Sequence, residues 1–530
     1  MLYRVIIILF YLGCNVISFA QNRYVVHLKD KNNSPYSISN PSEYLSQRAI
    51  DRRSKYSIPI TEEDFPVNPD YIQELKINGA DVFYNSRWFN AVLIQADETL
   101  IPTIEALSIV DHVELVSQGP RLTHGRIEYQ EGEEGTEAYE NAVQNDLLGV
   151  YSMHEQDLRG EGMLLAFLDG GFLGVDNQEA FSHLFTNGQI VDQYNYLDND
   201  DNVYQYDSHG TKVFSTVSAF QDGVYQGVAT NAEFLLYVTE EVRNTSNSYS
   251  ETRIEEYNML FAVERADSAG ADVISTSLGY STFDDPFTSY TYQDMDGSTA
   301  IVTQAFETAF AKGIFMVTSA GNEGGGSWQF ITAPADGPHV MSVGSVSSDG
   351  TRASSSSIGP NANGVIKPDV MAMGGSTSLI SDSGLTTGSG TSYSAPQIAG
   401  LAALLWQKQP NLTNQELFDL ILSLGNNYSN PNNEYGYGIP SAARLITGTF
   451  EDDAQIIAYP NPFNDIIKIE NVTSTEEIEL WNLLGEKVHL NTNLVENGSL
   501  ILSTSNLPSG IYILKITDSQ ADQIIKLIKK

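Results

Sequence analysis

Between about residue 140 and residue 447 the chain alternates two kinds of apolar pattern. Short, largely apolar runs occur at Met163–Leu168, Phe234–Val238, Asp272–Thr276 and Ile314–Thr318, and stretches of helical period occupy 252–269, 299–312 and 394–407. A strand with no polar face needs cover on both sides, and helices between the strands supply it. The alternation predicts a doubly wound, mostly parallel α/β domain whose active groups sit just beyond the carboxyl ends of its strands.

The flanks read differently. Residues 21–120 open on the strand-like Tyr24-Val25-Val26-His27-Leu28, pass through an Arg-rich polar stretch (Arg48, Arg52, Arg53, Lys55), and return to strand patterns around Ala91–Ile94 and His112–Val116. They predict a small α+β domain. Residues 121–139 are polar, glycine-bearing and acidic, as expected of an exposed processing linker. A second linker covers 448–455. From 456 to 530, strands such as Ile466–Ile469, Ile478–Trp481 and Ile511–Ile516, with turns at Leu484-Gly485-Glu486 and Leu507-Pro508-Ser509-Gly510, predict a small β-sandwich. Residues 1–20 read as an export signal: Arg4, an apolar run from Val5, and Ser18-Phe19-Ala20 at a cleavage position. The run is short and interrupted for a membrane span.

Composition narrows the function. Acidic residues outnumber basic ones by 67 to 28, a formal charge of −39. Such a surface repels nucleic acid and anionic membranes and favours a soluble monomer. Cys14, the single cysteine, lies in the export signal. A lipid-anchored variant would use Cys14, but Tyr11 stands where such signals carry Leu. The mature chain is thus expected to use no disulfide, thiol nucleophile or Cys-ligated zinc.

Four positions carry candidate chemistry. Gly388-Ser389-Gly390-Thr391-Ser392-Tyr393-Ser394-Ala395-Pro396 leads into the apolar helical stretch Ile398–Trp406, which puts Ser392 at a helix start where free amides favour negative charge. Pro396 is expected to fall among the early positions whose N–H has no partner. His209, in Asp207-Ser208-His209-Gly210-Thr211, begins another helical pattern. Asp169 ends the run Leu164–Leu168, where a carboxylate is costly to bury without a partner. Asn322 follows the apolar run Ile314–Thr318 and could offer its amide to a developing oxyanion. Each has a plainer reading: a helix-capping serine, a loop histidine, a turn-capping aspartate and a turn asparagine.

Together these motifs, in the order Asp…His…Ser, resemble the subtilisin family (subtilases) of serine proteases. Asp169-Gly-Gly, His209-Gly-Thr and Gly390-Thr-Ser392-Tyr-Ser-Ala-Pro396 match its active-site signatures, and Ala320-Gly321-Asn322 matches its oxyanion segment. Lys367-Pro368-Asp369-Val370 and Gly436-Tyr437-Gly438 match flanking landmarks. The resemblance implies a catalytic triad of Asp169, His209 and Ser392, with Asn322 in the oxyanion hole. It further implies that Ser277-Leu278-Gly279 pairs with substrate backbone and that Ala320, Gly321 and Glu323 adjoin the substrate, Glu323 favouring a basic or polar side chain before the cut. Polypeptides are the implied substrates, and no metal or cofactor is required for the chemistry. Two positions depart from the pattern: Tyr393 replaces the usual Met, and Gly170 the usual Ser or Thr.

Subtilases often carry structural calcium, and the tract Asp198-Asn199-Asp200-Asp201 offers oxygen ligands. Its spacing matches no defined cage, so it reads first as a solvated loop. Residues 21–120 resemble the inhibitory propeptide of many subtilases. The C-terminal segment resembles a type IX secretion sorting domain of Bacteroidetes, through Tyr459-Pro460-Asn461-Pro462-Phe463, Leu507–Tyr512 and the basic Lys526, Lys529 and Lys530. That implies export through the periplasm to a secreted or cell-surface location, with the secretion machinery as partner. HExxH, GxSxG and Walker A patterns are absent from the sequence. The competing readings are a catalytically inert, peptide-binding or adhesive relative, and a surface-anchored structural protein whose working part is the C-terminal module.

Overall fold

Seven parallel strands form the sheet that positions the site. In a computed structural model of the chain, the residues described are 22–119, 139–241, 251–284, 286–447 and, in the C-terminal unit, 457–459, 466–470, 477–482, 487–488, 491–495, 499–517 and 522–529. The export signal with Cys14, nearly all of the 121–139 linker, the whole 448–455 linker, the Pro460–Phe463 motif, the Leu484–Glu486 turn and Lys530 lie outside the described residues.

The elements used below, in chain order, begin with an N-terminal group: β1 (Asn22–Leu28), α1 (Gln47–Lys55), α2 (Pro69–Ile77), β2 (Asp81–Ser86), β3 (Ala91–Ala96) and β4 (Val110–Ser117). The central group follows: β5 (Leu164–Asp169), β6 (Ile190–Asn195), α3 (His209–Ser218), β7 (Glu233–Val238), α4 (Ile254–Ala269), β8 (Val273–Thr276), α5 (Ile301–Ala311), β9 (Phe315–Ser319), β10 (Met341–Val346), β11 (Val370–Met373) and α6 (Thr391–Lys408).

The central sheet runs β11-β10-β9-β8-β5-β7-β6, and every pairing in it is parallel. The expected strands and helices are all present, shifted at their ends by one to three residues. Side chains of β5 alternate between two cores. Leu165 and Phe167 join the core under α3 and α6, while Leu164, Ala166 and Leu168 join the one under α4 and α5, so each face is dry. Strand order reverses at β5, the switch point where such sheets open a crevice beyond their carboxyl ends.

The start of α6 corrects one expectation. The helix begins at Thr391, capped by Gly390, so Pro396 lies inside it rather than among its unpartnered amides. A proline there removes the N–H that would bond the carbonyl four residues back. That carbonyl belongs to Ser392, and it accepts from the Ser277 hydroxyl at 2.8 Å instead.

The N-terminal elements make a four-stranded antiparallel sheet, β2-β3-β1-β4. Tyr24, Val26 and Leu28 face a core of the domain's own, with Leu75 of α2. The opposite face, with Val25, Leu93 and Val116, packs into the same apolar cluster as Tyr257 and Phe261 of α4. One strand therefore serves two cores by simple alternation.

The chain divides into two compact units, Met1–Gly448 and Thr449–Lys530. The second holds two four-stranded antiparallel sheets. Ile467, Ile469, Leu500 and Leu502 of one share a core with Leu480, Leu514, Ile516 and Leu527 of the other, a β-sandwich. Among the described residues, no helix is long and apolar enough to cross a membrane.

Candidate active site

Asp169 is the last residue of β5 and is only 1 % exposed. Its carboxylate accepts from its neighbour's amide, Gly170 N–H, at 2.8 Å. His209 opens α3 with its ring 29 % exposed, and Nδ1 lies 2.9 and 3.1 Å from the two Asp169 oxygens. Gly210 makes this approach possible: a Cβ there would fall 2.4 Å from the Gly171 carbonyl and 2.9 Å from Asp169 Cβ. Burial pulls the imidazole pKa down. The Asp169 charge and hydrogen bond, with Asp207 adding to them, prevail and leave it above the ordinary histidine value. The Nδ1–H bond fixes the tautomer and leaves Nε2 as the free base.

Ser392 sits in the first turn of α6, 8 % exposed. Its N–H has no acceptor among the described residues, as expected of an early helix amide. The hydroxyl makes a long 3.4 Å contact with the Ser277 carbonyl and no hydrogen bond with His209. Asn322 folds back on the same helix start, its Oδ1 accepting from Thr391 N–H at 3.0 Å and Thr391 Oγ1 at 3.1 Å. With that oxygen engaged, the Nδ2 group is the donor left beside the nucleophile. Tyr393 is buried with its ring 6.0 Å from His209. Gly388 gives it room, since a Cβ there would lie 2.6 Å from the ring. Burial, followed by the charges of Asp169 and Asp207, pushes the phenol pKa up to about 12, so Tyr393 stays neutral beside the base.

Ser277, Leu278 and Gly279 continue β8 without belonging to the sheet. At Gly279 a Cβ would fall 2.3 Å from Thr332 Oγ1. The segment is held at both ends, by the Ser277–Ser392 bond and by paired backbone bonds between Tyr280 and Ala333. Ala320 is buried, and Gly321, Asn322 and Glu323 line a cavity of about 250 Å³ together with Ser277 and Gly279. Glu251 and Thr332, among the lining residues, escaped sequence reasoning: Glu251 stands in a polar stretch and Thr332 in a largely apolar one, and neither belongs to a motif.

The Asp198–Asp201 tract closes a turn, Asn195 N–H bonding the Asp200 carbonyl at 2.8 Å and Asp200 Oδ1 capping Asn202. Among the described residues, the carboxylates grouped closely enough to share a cation are elsewhere: Glu240, Glu251 and Glu255, with ligand oxygens within 4.8 Å of one another.

The Arg-rich stretch of the N-terminal domain is helix α1, capped by Ser46. The Arg52 and Arg53 guanidiniums are buried against α4. Asp267, 0 % exposed, takes Arg53 at 2.9 Å on both oxygens and also pairs with Arg52 and Arg87. Glu264, one turn earlier, accepts from Ser86 and from Arg87 N–H.

Three known families match successive parts of the chain. Residues 160–438 match the Subtilase family, 23–131 the Peptidase S8 propeptide domain of Bacteroidota, and 457–530 the secretion system C-terminal sorting domain. Subtilisin NAT of Bacillus subtilis subsp. natto is 32 % identical over 298 residues, covering 54 % of this chain and 66 % of its own length. Subtilisin DY of Bacillus licheniformis is 32 % identical over 285 residues, 53 % of this chain and 90 % of its own. M-protease of Shouchella clausii (strain KSM-K16) is 25 % identical over 403 residues, 76 % of this chain and 93 % of its own. Sorting domain and propeptide together indicate a secreted or cell-surface protein. With a parallel sheet, an N-terminal propeptide domain and more than half its length matched, the chain belongs to the subtilase family.

Proposed function

We propose that the chain is a serine endopeptidase, made as a zymogen, that hydrolyses peptide bonds through an acyl-enzyme on Ser392. The observation that carries this reading is the buried Asp169 carboxylate on His209 Nδ1 at 2.9 Å. His209 Nε2 takes the Ser392 proton as Oγ attacks the substrate carbonyl, then delivers it to the leaving amine as the C–N bond breaks. Water, deprotonated by the same nitrogen, releases the acyl group and restores Ser392. Asn322 Nδ2 and the Ser392 N–H hold the oxyanion. A turn of the Ser392 hydroxyl away from Ser277 brings it to His209, a bond that often forms only once substrate is bound.

Substrate lies extended beside Ser277–Gly279, adding a strand. Residues 21–120 inhibit until cleavage within 121–139, and the catalytic domain spans 140–447. The protease acts as a monomer and uses no metal or cofactor in the chemistry. Residues 456–530 deliver it to the type IX secretion machinery.

A fluorophosphonate probe should label Ser392 in the matured protein. Ser392→Ala should abolish labelling and cut hydrolysis by ~10⁶, because the triad acts as a unit. Activity should rise with pH through an imidazole pKa above the ordinary ~6.5. A matured protein that takes no label would leave the inert, peptide-binding reading.

A further inference from the structure

The cavity beside Ser392 has two charged lining residues, Glu251 and Glu323, and both are acids. Behind Glu251 stand Glu240 and Glu255, the three within 4.8 Å through their oxygens. None of the three forms an ion pair among the described residues. The nearest guanidinium in sequence, Arg253, pairs with Glu256 at 2.7 Å and lies over the rings of Phe283 and Tyr290. The two inner acids are already engaged. Glu240 accepts from Tyr280 OH at 2.7 Å, and both Glu255 oxygens accept backbone amides, from Glu241 and Thr252. Glu251, half-buried, is the arm that reaches the cavity.

We propose that this cavity takes the cationic side chain of a substrate lysine or arginine, with Glu251 pairing the charge, Glu323 lining the same space and Glu240 and Glu255 standing behind Glu251. The inference rests on the reading of the Ser392 cleft as a peptidase site. Electrostatics supports it. Burial first, then the Glu251 charge, pushes Glu240 up to about 8, and burial raises Glu251 and Glu255 as well. A cation entering beside acids whose pKa is raised lowers it again and favours their charged forms. A single reaching carboxylate suits an ammonium or guanidinium on a long stem. A calcium ion would need six or more oxygens at once.

The test compares peptides that differ at one position, arginine against norleucine, scanned along the stretch expected beside Ser277–Gly279. Protein matured from the full chain should cut the arginine peptide at least about tenfold faster in kcat/KM at one scanned position, and Glu251→Gln should bring that ratio close to one. In Ser392→Ala, trimmed within 121–139 by an added protease, fluorescence polarisation should show the same preference in binding, so the inference is tested even if nothing is hydrolysed. Absence of hydrolysis by the unmutated protein would count against the peptidase reading alone. Equal binding of the two peptides, or a preference that survives Glu251→Gln and Glu323→Gln, would overturn the inference. So would a calcium-dependent rise in melting temperature that Glu251→Gln abolishes, which would make the cluster a metal site.

Discussion

Helix α4 buries acid near both ends, and the two ends handle it in opposite ways. At its carboxyl end Asp267 is wholly buried where the helix dipole already disfavours an anion, yet three guanidiniums of the N-terminal domain surround it. Burial works to raise its pKa, but Arg87, Arg52 and Arg53 outweigh that and hold the carboxyl below its ordinary range. At the amino end Glu255 has the dipole and two backbone amides in its favour, but no cation pairs with it among the described residues, and its pKa goes well up. A buried acid surrounded by another domain's arginines marks an interface already filled. A buried acid without a counter-charge among the described residues, standing behind a carboxylate that lines the candidate cleft, marks a place still to be filled.

The largest effect is expected at the filled end. In the Ser392→Ala full chain, which keeps its propeptide, Asp267→Ala strands three buried arginines and should weaken docking by about 3–5 kcal/mol. The readout is loss of hydrogen-exchange protection in α1 and β1 to β4 while the central sheet stays protected. Unchanged protection would mean that the apolar face of the N-terminal sheet suffices without the charges. The pKa direction adds a sign. A lowered carboxyl contributes stability at pH values above its unfolded pKa and loses it as pH falls through the still lower folded value. Asp267 therefore cannot release the propeptide at mildly acid pH.

The unfilled end should respond to pH in the opposite sense. Glu240, up at about 8 from an ordinary 4.5, keeps a proton in the folded chain that the unfolded chain gives up. Stability should therefore fall as pH rises through that window, by up to about 1.4 kcal/mol per pH unit for one proton. Facing Glu240 are Glu251, Tyr280, Asp169 and Glu241, and Glu255 lies in the same cluster, so acids dominate its surroundings. Glu240→Gln should flatten the slope in urea titrations of the Ser392→Ala full chain. A wild-type curve already flat between pH 5 and roughly 8 would show that the cluster is neutralised in solution.

The contrast also shows what a sequence reveals. β5 was legible because five apolar residues ending in Asp169 leave little choice, and α3 and α6 because glycine-bearing starts precede clear apolar patterns. The two acidic centres were not. Glu255, Glu256, Asn258, Glu264 and Asp267 are all buried in α4, although such residues in a helix normally read as its wet face. Partners outside the helix's own period make most of this burial tolerable, such as Arg87 at Glu264 and Arg52, Arg53 and Arg87 at Asp267. The partners of Asp267 lie more than 170 positions away, and no local period links them. Pro396 misled for a similar reason: the apolar pattern begins at Ile398, while the helix begins at Thr391 because Gly390 and Asn322 cap it.

The smallest effect separates a charge that is buried from one that merely touches. Arg48, also on α1, pairs with Asp272 and donates to the Gly162 and Gly270 carbonyls, but its side chain is 35 % exposed. Water already solvates much of that charge, so Arg48→Ala should cost at most about 1 kcal/mol of docking, and less as salt is added. Asp267, reached by neither water nor ions, should show a cost nearly independent of salt. Measured by the same exchange experiment at low and high ionic strength, the two variants should therefore diverge. If Asp267→Ala proved as salt-sensitive as Arg48→Ala, the arginine cluster would be hydrated in solution, and the distinction between the filled and unfilled ends of α4 would lose its physical basis.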